Sequence, residues 1–418
     1  MNFDQNPAAP GWRVERLEWT DEALGEIELP KGTMRFRSGF GSGLSRRPGD
    51  AAGIVWAVGD RGPNIKVEEA VTLYGLDRLE PLRTEEGAKI MPRLDLGPAI
   101  AELQVTGEKV ELLRTLRVAD TRGRPVSGLP VPGGPHTRHE PAFDLDGEKL
   151  VPDPSGLDTE GIAALTDGGF WVSDEFGPSL VRLDPGGKVL KRLIPQGTRL
   201  DGAAYPVVAS LPAIAGRRQL NRGFEAIALS PDGKRLFLAF QSPLAHPDQR
   251  AHEQARHVRL WRLDATTGTV VSQYLYPLDA PETFLRDSAK KPLDRSDLKV
   301  SELAWVGTDS LLVLERGSET TKIYLVTPSD EHSLPAEHLD ADTRPSVEEI
   351  SARGDPGLPV LAKRLLFSSD DAPEVGAGLE GMAILSPTEL LLVNDNDFGI
   401  EGAETGFWRV RFDQPLLG

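Results

Sequence analysis

Four glutamates recur at matching places along the chain, and each precedes a short apolar stretch. They are Glu160, Glu225, Glu302 and Glu380, spaced 65, 77 and 78 residues apart. Each belongs to a segment with one order of features: an apolar strand, a tight turn, a second apolar strand and an acidic or amide end. The segments are residues 158–175, 223–241, 301–316 and 379–397, with a weaker fifth copy at residues 39–61.

The repeated segment predicts a β-hairpin. Turn sequences such as Asp167-Gly168-Gly169 and Pro231-Asp232-Gly233 separate its two strands. The spacing between copies accommodates about four short strands, the size of one blade of a β-propeller. No long amphipathic helix intervenes, and the 43 glycines and 34 prolines favour turns. We therefore predict an all-β chain in which residues 1–418 form a single β-propeller of four-stranded blades, five to seven in number with six preferred.

Three further segments have the composition of loop insertions. Residues 121–141 are rich in proline, glycine and histidine, residues 242–257 are polar with three histidines, and residues 328–357 are acidic with few large apolar side chains. We expect these insertions on one rim, where propellers carry their binding surfaces.

The repeated glutamates predict a metal site. The innermost strand of each blade lines the central channel, so one acid per blade would converge on the axis. Ionised carboxylates close together need a counter-cation, and Ca²⁺ prefers six to eight oxygen ligands. The predicted calcium ligands are Glu160, Glu225, Glu302, Glu380 and Asp395. The alternative is that each glutamate accepts backbone hydrogen bonds from the next blade, and the two arrangements can hold at different blades.

Charged residues at the strand ends complete the predicted site. Asp174 and Glu175 follow the second strand of their hairpin, and with Glu160 and Glu225 they are the candidate catalytic acids. Arg61, Arg222 and Arg316 stand beside acids in the sequence and are candidates for binding a substrate phosphate or carboxylate, because a guanidinium forks onto two oxygens. The alternative for each arginine is an ion pair with the neighbouring acid. Arg138 is a further candidate.

Composition excludes several classes of function. The formal net charge of −17, without a basic stripe, argues against a nucleic-acid partner. Absence of cysteine excludes disulfides and thiolate chemistry. No apolar run approaches a membrane span, and no signal peptide is recognisable. We expect a soluble protein, cytoplasmic as written, or periplasmic or secreted if a leader is missing. The oligomeric state is open.

Several of these stretches resemble the bacterial phytase-like family, which is named for esterase-like activity. The resemblance rests on DTEGIAALTDGGFWVSDEFGPSLVRL at residues 158–183, NRGFE at 221–225, LERG at 314–317 and VNDNDFG at 393–399, and it extends from about Phe40 to the C-terminus. It implies a propeller fold and a calcium-dependent hydrolase of phosphoric esters. Members of the family are often exported.

Three functions are compatible with these features. The first is a calcium-dependent hydrolase of small phosphate esters, in which the metal neutralises the phosphate and a bound water attacks. The second is a calcium-dependent lactonase or carboxylesterase on a similar central metal. The third is a non-catalytic propeller that binds a ligand on its loops, with structural acids on the axis.

Overall fold

The computed structural model describes residues 11–134, 139–354 and 357–417 of the chain. Within these ranges the backbone is mostly β-structure, with four short helices: α1 (Val67–Tyr74), α2 (Gln249–Gln254), α3 (Leu285–Lys290) and α4 (Val347–Ser351). None of the helices in the described ranges is long and apolar enough to cross a membrane.

Five sheets of four or five strands form the body of the molecule, and their strands are numbered in chain order. The first sheet contains β4 (Gly43–Ser45), β5 (Ile54–Gly59), β8 (Ala99–Thr106) and β9 (Lys109–Arg117). The second contains β11 (Thr159–Ala164), β12 (Phe170–Asp174), β13 (Ser179–Leu183), β14 (Val189–Pro195) and β15 (Val207–Leu211). The third contains β16 (Phe224–Leu229), β17 (Arg235–Phe240), β18 (His257–Asp264) and β19 (Val270–Pro277). The fourth contains β20 (Lys299–Val306), β21 (Ser310–Arg316), β22 (Thr321–Val326) and β23 (Lys363–Ser368).

The fifth sheet joins the two ends of the chain. It contains β24 (Leu379–Ser386), β25 (Glu389–Asn394), β26 (Phe407–Phe412) and, as its outermost strand, β1 (Trp12–Leu17). β1 pairs antiparallel with β26 along its whole length. An N-terminal strand therefore completes the last sheet, which ties the first and last sheets into one body.

The first strand of each sheet packs against the first strand of the next. β4 contacts β11, β11 contacts β16, β16 contacts β20, β20 contacts β24, and β24 returns to β4. All five strands line one cavity of about 230 Å³, through Leu44, Ala164, Ile227, Leu303 and Ile384. Sheets arranged radially around a central channel are the architecture of a β-propeller.

Small residues allow these first strands to approach one another closely. A Cβ on Gly161 would lie 2.4 Å from the carbonyl oxygen of Glu225 in the neighbouring sheet, so only glycine fits there. The remaining positions are apolar, because both faces of each sheet are covered by its neighbours. β12, with the sequence FWVSD, is buried throughout.

The all-β class and the propeller architecture are confirmed. The described residues form five large sheets, and the number of blades stays a prediction. The long interval between Gly43 and Glu160 holds the rest of the first sheet and a set of smaller elements.

These smaller elements form a cap. A hairpin of β2 (Ala23–Leu29) and β3 (Gly32–Arg37) lies with a three-stranded sheet of β6 (Ile65–Lys66), β7 (Lys89–Ile90) and β10 (Ala142–Phe143). They share a hydrophobic core with α1 that includes Phe36, Val71 and Phe143. The cap therefore has its own apolar centre, separate from the interfaces between the large sheets.

A strap, residues 328–354, covers the outer edge of the third sheet. The backbone N–H of Leu334 donates to the carbonyl oxygen of Gln273 at 2.9 Å, along the outer edge of β19. Behind it, Arg259 forms a bidentate ion pair with Glu348 of α4, at 2.7 and 2.9 Å, and both side chains are buried. The strap thus shields an edge strand that would otherwise present unpaired backbone groups.

This buried pair gives a stability prediction with a control from the adjacent residue. Glu348→Gln leaves the buried Arg259 guanidinium without its counter-charge, and we expect a loss of about 3–5 kcal/mol in the free energy of unfolding. Glu349→Gln removes a half-exposed pair with Arg344, and we expect a loss below about 1 kcal/mol. Urea unfolding at neutral pH measures both losses. Equal losses in the two variants would contradict the strap's dependence on the buried pair.

Candidate metal centre

Three of the four predicted glutamates occupy the same structural position. Glu160, Glu225 and Glu380 each fall at the register shift where the pairing of the first and second strands skips one residue. Such a β-bulge re-aims the side chain of the extra residue. A carboxylate oxygen from each of the three lies within 4.8 Å of the others. The bulges therefore bring together acids from the second, third and fifth sheets.

Glu302 does not join this group, because the bulge of the fourth sheet lies one residue earlier. There the pairing skips Ser301, so Glu302 takes the place that Gly161 has in the second sheet. Its carboxylate accepts backbone hydrogen bonds from Leu44 at 2.8 Å and from Leu303 at 3.0 Å. Glu302 thus follows the alternative arrangement, in which the acid binds backbone N–H groups of a neighbouring sheet.

The same register defines a second ring of residues, located at the end of each second strand or just after it. The equivalent positions in the pairing of the first and second strands are Asp60, Glu175, Gln241, Arg316 and Asp395. Glu175 belongs with Asp158 and Glu160 to a second group of carboxylates whose oxygens lie within 4.8 Å. Glu160 is shared between the two groups and is the point where they meet.

Arg61 lies among the acids of this second group. Its guanidinium forms ion pairs with Glu140 at 2.9 Å, Glu175 at 3.4 Å and Asp158, and it donates to the side-chain oxygen of Asn221 at 2.7 Å. Burial lowers the pKa of Arg61, but these carboxylates outweigh burial and hold the pKa above its usual value. Arg61 therefore neutralises the Asp158–Glu175 side of the centre.

Asp174 lies apart from both carboxylate groups. One oxygen accepts the backbone N–H of Asp158 at 2.7 Å, and the other is paired with Arg192 at 2.6 Å and bonded by the Ser179 hydroxyl at 2.5 Å. Both of its oxygens are thus bonded by residues in or next to the second sheet, and Asp174 and Arg192 are fully buried. Glu315, the equivalent residue of the fourth sheet, is likewise paired with Lys363 at 2.6 Å.

Burial and repulsion between carboxylates raise the pKa values of Glu160, Glu175 and Glu225. Burial is the largest cause for Glu160, followed by repulsion from Asp158 and Glu225, and the pKa of Glu160 lies well above its usual range. Burial and Asp158 likewise raise the pKa of Glu175. For Glu225, burial and the neighbouring Glu380 raise the pKa to about 7. The centre is short of positive charge, which a proton or a metal cation can supply.

The carboxylates around Asp395 extend the acidic region toward the first sheet. Burial raises the pKa of Asp395, and the nearby Asp397, Asp60 and Glu380 raise it further. Burial and Asp158 also raise the pKa of Asp60. Asp395 is not a member of either three-acid group found in the described residues, but its charge adds to the same electrostatic field.

The donor set fits a hard divalent cation. Glu160, Glu225 and Glu380 offer only oxygen ligands, which suits Ca²⁺. Glu225 Oε2 is buried and accepts no hydrogen bond from any residue in the described ranges. In the described part of the chain, Arg316 forms the only ion pair with these three acids, through Glu380. A buried, unpartnered carboxylate oxygen beside two further acids is the arrangement expected of a metal ligand set.

Backbone strain is concentrated at the same end of the channel. Among the described residues, the non-glycine residues with positive φ are Asn221, Asp397, Phe398 and Glu401, with φ of 55°, 45°, 54° and 63°. Asn221 bonds Arg61, and the other three form the turn that follows Asp395. Strained backbone persists where the surrounding structure enforces it and clusters at functional sites.

Sequence reasoning did not single out several members of the centre. Asp158 stands two residues before Glu160, a spacing that places side chains on the same side of an extended chain, and this spacing was available in the sequence. Glu140 and Lys299 reach the centre only through tertiary structure, since they lie outside the repeated segments. Arg138, a further candidate from the sequence, lies outside the described residues.

Comparison with known proteins finds one curated relative and several solved structures that are similar to this chain. A curated relative from Arthroderma benhamiae, named "Uncharacterized secreted protein", is 29% identical over 331 residues, covering 70% of this chain. The chain spans 61% of that relative's length. A luciferin-regenerating enzyme aligns with a TM-score of 0.36 and 12% identity, covering 96% of this chain and 95% of that chain. A gluconolactonase from Xanthomonas campestris aligns with a TM-score of 0.35 and 10% identity, covering 96% and 98%.

One family model matches residues 37–398, which include the first four large sheets, β24 and β25 of the fifth, and all the axial acids described above. Because this match extends over most of the chain, the protein belongs to the phytase-like family, described as having the esterase-like activity of phytase.

Proposed function

We propose that the protein is a calcium-dependent hydrolase of phosphate esters, with its active site on the axis of the propeller. The observation that carries this proposal is the group of Glu160, Glu225 and Glu380, in which a buried carboxylate oxygen has no hydrogen-bond partner among the described residues. The family's esterase-like activity supports hydrolysis, and the cations beside the acids support an anionic substrate.

The axial residues would have three roles: binding the metal, transferring a proton and positioning an acid. Glu160, Glu225 and Glu380 would hold Ca²⁺, which supplies positive charge that polarises a phosphoryl group and acidifies a water. Glu175, whose raised pKa allows it to carry a proton, would exchange that proton with water or the leaving group. Arg61 would keep Glu175 oriented through their 3.4 Å ion pair.

The positions of the other predicted residues limit their roles. Asp174 would order the second sheet through Arg192, and Glu302 would tie the fourth sheet to the first. Asp395 would contribute charge near the cation. We further propose that the five sheets are the five blades of a single propeller domain over residues 1–418. Export is supported by the name of the secreted relative.

Calcium binding should appear as a pH-dependent gain in thermal stability. The folded pKa of Glu225, about 7, lies above its ordinary value of 4.5. Without a cation, Glu225 therefore lowers the stability of the fold as pH rises from 4.5 through 7. Protons compete with Ca²⁺ for the same carboxylate, so we expect a larger calcium-dependent rise in Tm at pH 8 than at pH 5.5. Saturation at 100 times Kd adds about 2.7 kcal/mol.

Two glutamate variants are matched controls for this measurement. Glu225→Gln should abolish most of the calcium-dependent rise in Tm at pH 8. Glu302→Gln should lower Tm through its lost backbone hydrogen bonds and retain the calcium-dependent rise. Identical Tm values in Ca²⁺ and in EDTA at pH 8 would show that the centre holds no calcium.

Turnover should depend on the axial acids and on the phosphate group. With p-nitrophenyl phosphate and phytate as substrates, we expect Glu160→Gln to lower kcat roughly 10²-fold or more, by analogy with the loss of a positioned catalytic group. Asp174→Asn should retain turnover per folded molecule while lowering Tm, since it breaks a buried pair.

A panel that adds p-nitrophenyl acetate and lactones separates the reaction classes. Turnover of the acetate or lactones alone would assign the centre to carboxylic esters. A calcium-dependent Tm without turnover of any substrate would assign it to a non-catalytic role.

A further inference from the structure

Three cations converge at the junction of the third and fourth sheets. Lys299, the first residue of β20, is directly opposite Arg316 in the register of β20 and β21. Arg222 lies two residues before β16, the strand that carries Glu225. Its positive charge repels both Lys299 and Arg316. Like charges placed directly opposite each other across a strand pair are destabilising. Such an arrangement calls for nearby negative charge.

Within the described ranges, one of these three cations forms an ion pair with an acid. Arg316 is paired with Glu380, and its Nε donates to the Ser301 hydroxyl at 2.8 Å. Arg222 Nη1 is buried without a hydrogen-bond partner in the described ranges, and Lys299 forms no ion pair with any described residue. Arg316 is the largest cause that lowers the pKa of Lys299 to about 7, followed by burial and Arg222.

The nearest acids are the proposed ligands of the axial cation. Glu225 and Glu380 partly offset the repulsion at Lys299, but a bound Ca²⁺ would take up their negative charge. Loading the axis with Ca²⁺ would then leave Lys299 uncompensated and Arg222 with Glu175 as its main compensating acid. An anion placed between the cation and these two side chains restores the balance.

We propose that Arg222 and Lys299 form an anion subsite whose affinity is coupled to the axial cation, and that the substrate is a phosphate monoester dianion. This inference rests on the proposed function. A guanidinium can bind two phosphate oxygens and an ammonium adds a compact point charge, so the pair suits a tetrahedral dianion. A neutral lactone or carboxylic ester offers these cations no counter-charge.

The subsite also separates the three arginines predicted to bind substrate. Arg61 is surrounded by Glu140, Glu175 and Asp158, and Arg316 is held by Glu380. Arg61 Nε and Arg222 Nη1 are both buried without a hydrogen bond to described residues, but of the three arginines only Arg222 forms no ion pair with any described acid. Its partner in anion binding is a lysine that no repeated motif contains.

Binding of phenylphosphonate, a phosphate analogue that cannot be hydrolysed, tests the subsite without turnover. Isothermal titration of the full chain should show phenylphosphonate binding at least about tenfold tighter with Ca²⁺ than with EDTA, and the reciprocal gain for Ca²⁺. Arg222→Met and Lys299→Met should each weaken phenylphosphonate at least about tenfold in Ca²⁺. Lys299→Arg should retain binding, and so should Lys234→Met, a change at an exposed turn.

The direction of the change in Ca²⁺ affinity in Lys299→Met distinguishes an electrostatic role of Lys299 from a structural one. Lys299→Met removes a positive charge near Glu225 and Glu380, so it should tighten Ca²⁺ in the absence of phosphonate while it weakens phosphonate. Wild-type phosphonate affinity in both methionine variants would overturn the subsite. Weaker binding of both Ca²⁺ and phosphonate by Lys299→Met would overturn it too, since that pattern indicates a disturbed fold.

The outcomes for the subsite and for the proposed function are separable. Calcium-coupled phosphonate binding that depends on Arg222 and Lys299, without turnover of phosphate esters, would support the subsite and contradict the proposed hydrolase. Turnover of phosphate esters with unchanged phosphonate binding in both variants would overturn the subsite and leave the hydrolase intact.

Discussion

Repulsion between carboxylates on the axis is the constraint on which the rest of the centre depends. Three bulges direct Glu160, Glu225 and Glu380 to one point, where burial removes the water that would screen them. Burial and neighbouring carboxylates raise the pKa values of Glu160 and Glu225, so this group of acids attracts protons or a cation. The ring of first strands determines this spacing, because glycine at positions such as Gly161 lets neighbouring sheets approach closely.

The charge of the axial acids is compensated differently on the two sides of the axis. Toward the first and second sheets, Arg61 supplies a fixed counter-charge to Asp158 and Glu175. Toward the third and fifth sheets, Arg316 pairs with Glu380 and leaves Glu225 Oε2 unpartnered. Arg61 thus holds the acids of one side in place, and the other side keeps an unpartnered carboxylate oxygen. A buried ionic centre of this kind adds little to stability, which the apolar interfaces between sheets provide.

Ion pairs away from the axis hold strands of one sheet together or join the strap to a sheet. Asp174 with Arg192 and Glu315 with Lys363 occupy equivalent places in two sheets and use their acceptors locally. A similar buried pair lies at the rim, where Glu348 of the strap binds Arg259 of the third sheet. Acids that look alike in the repeated segments therefore divide into two groups. One group faces the channel, and the other is enclosed within or between sheets.

The sequence by itself determined the hairpin repeat, the all-β class and the convergence of acids on an axis, because alternating apolar strands and turn residues act locally. It also identified Glu160, Glu225 and Glu380. Tertiary structure alone decided the role of Glu302, since a shift of one residue in a β-bulge depends on strand pairing and moves a side chain to the other face. The same holds for Lys299, whose place beside the centre follows from pairing opposite Arg316. Charge compensation by Arg61 likewise required acids from distant segments to meet in space.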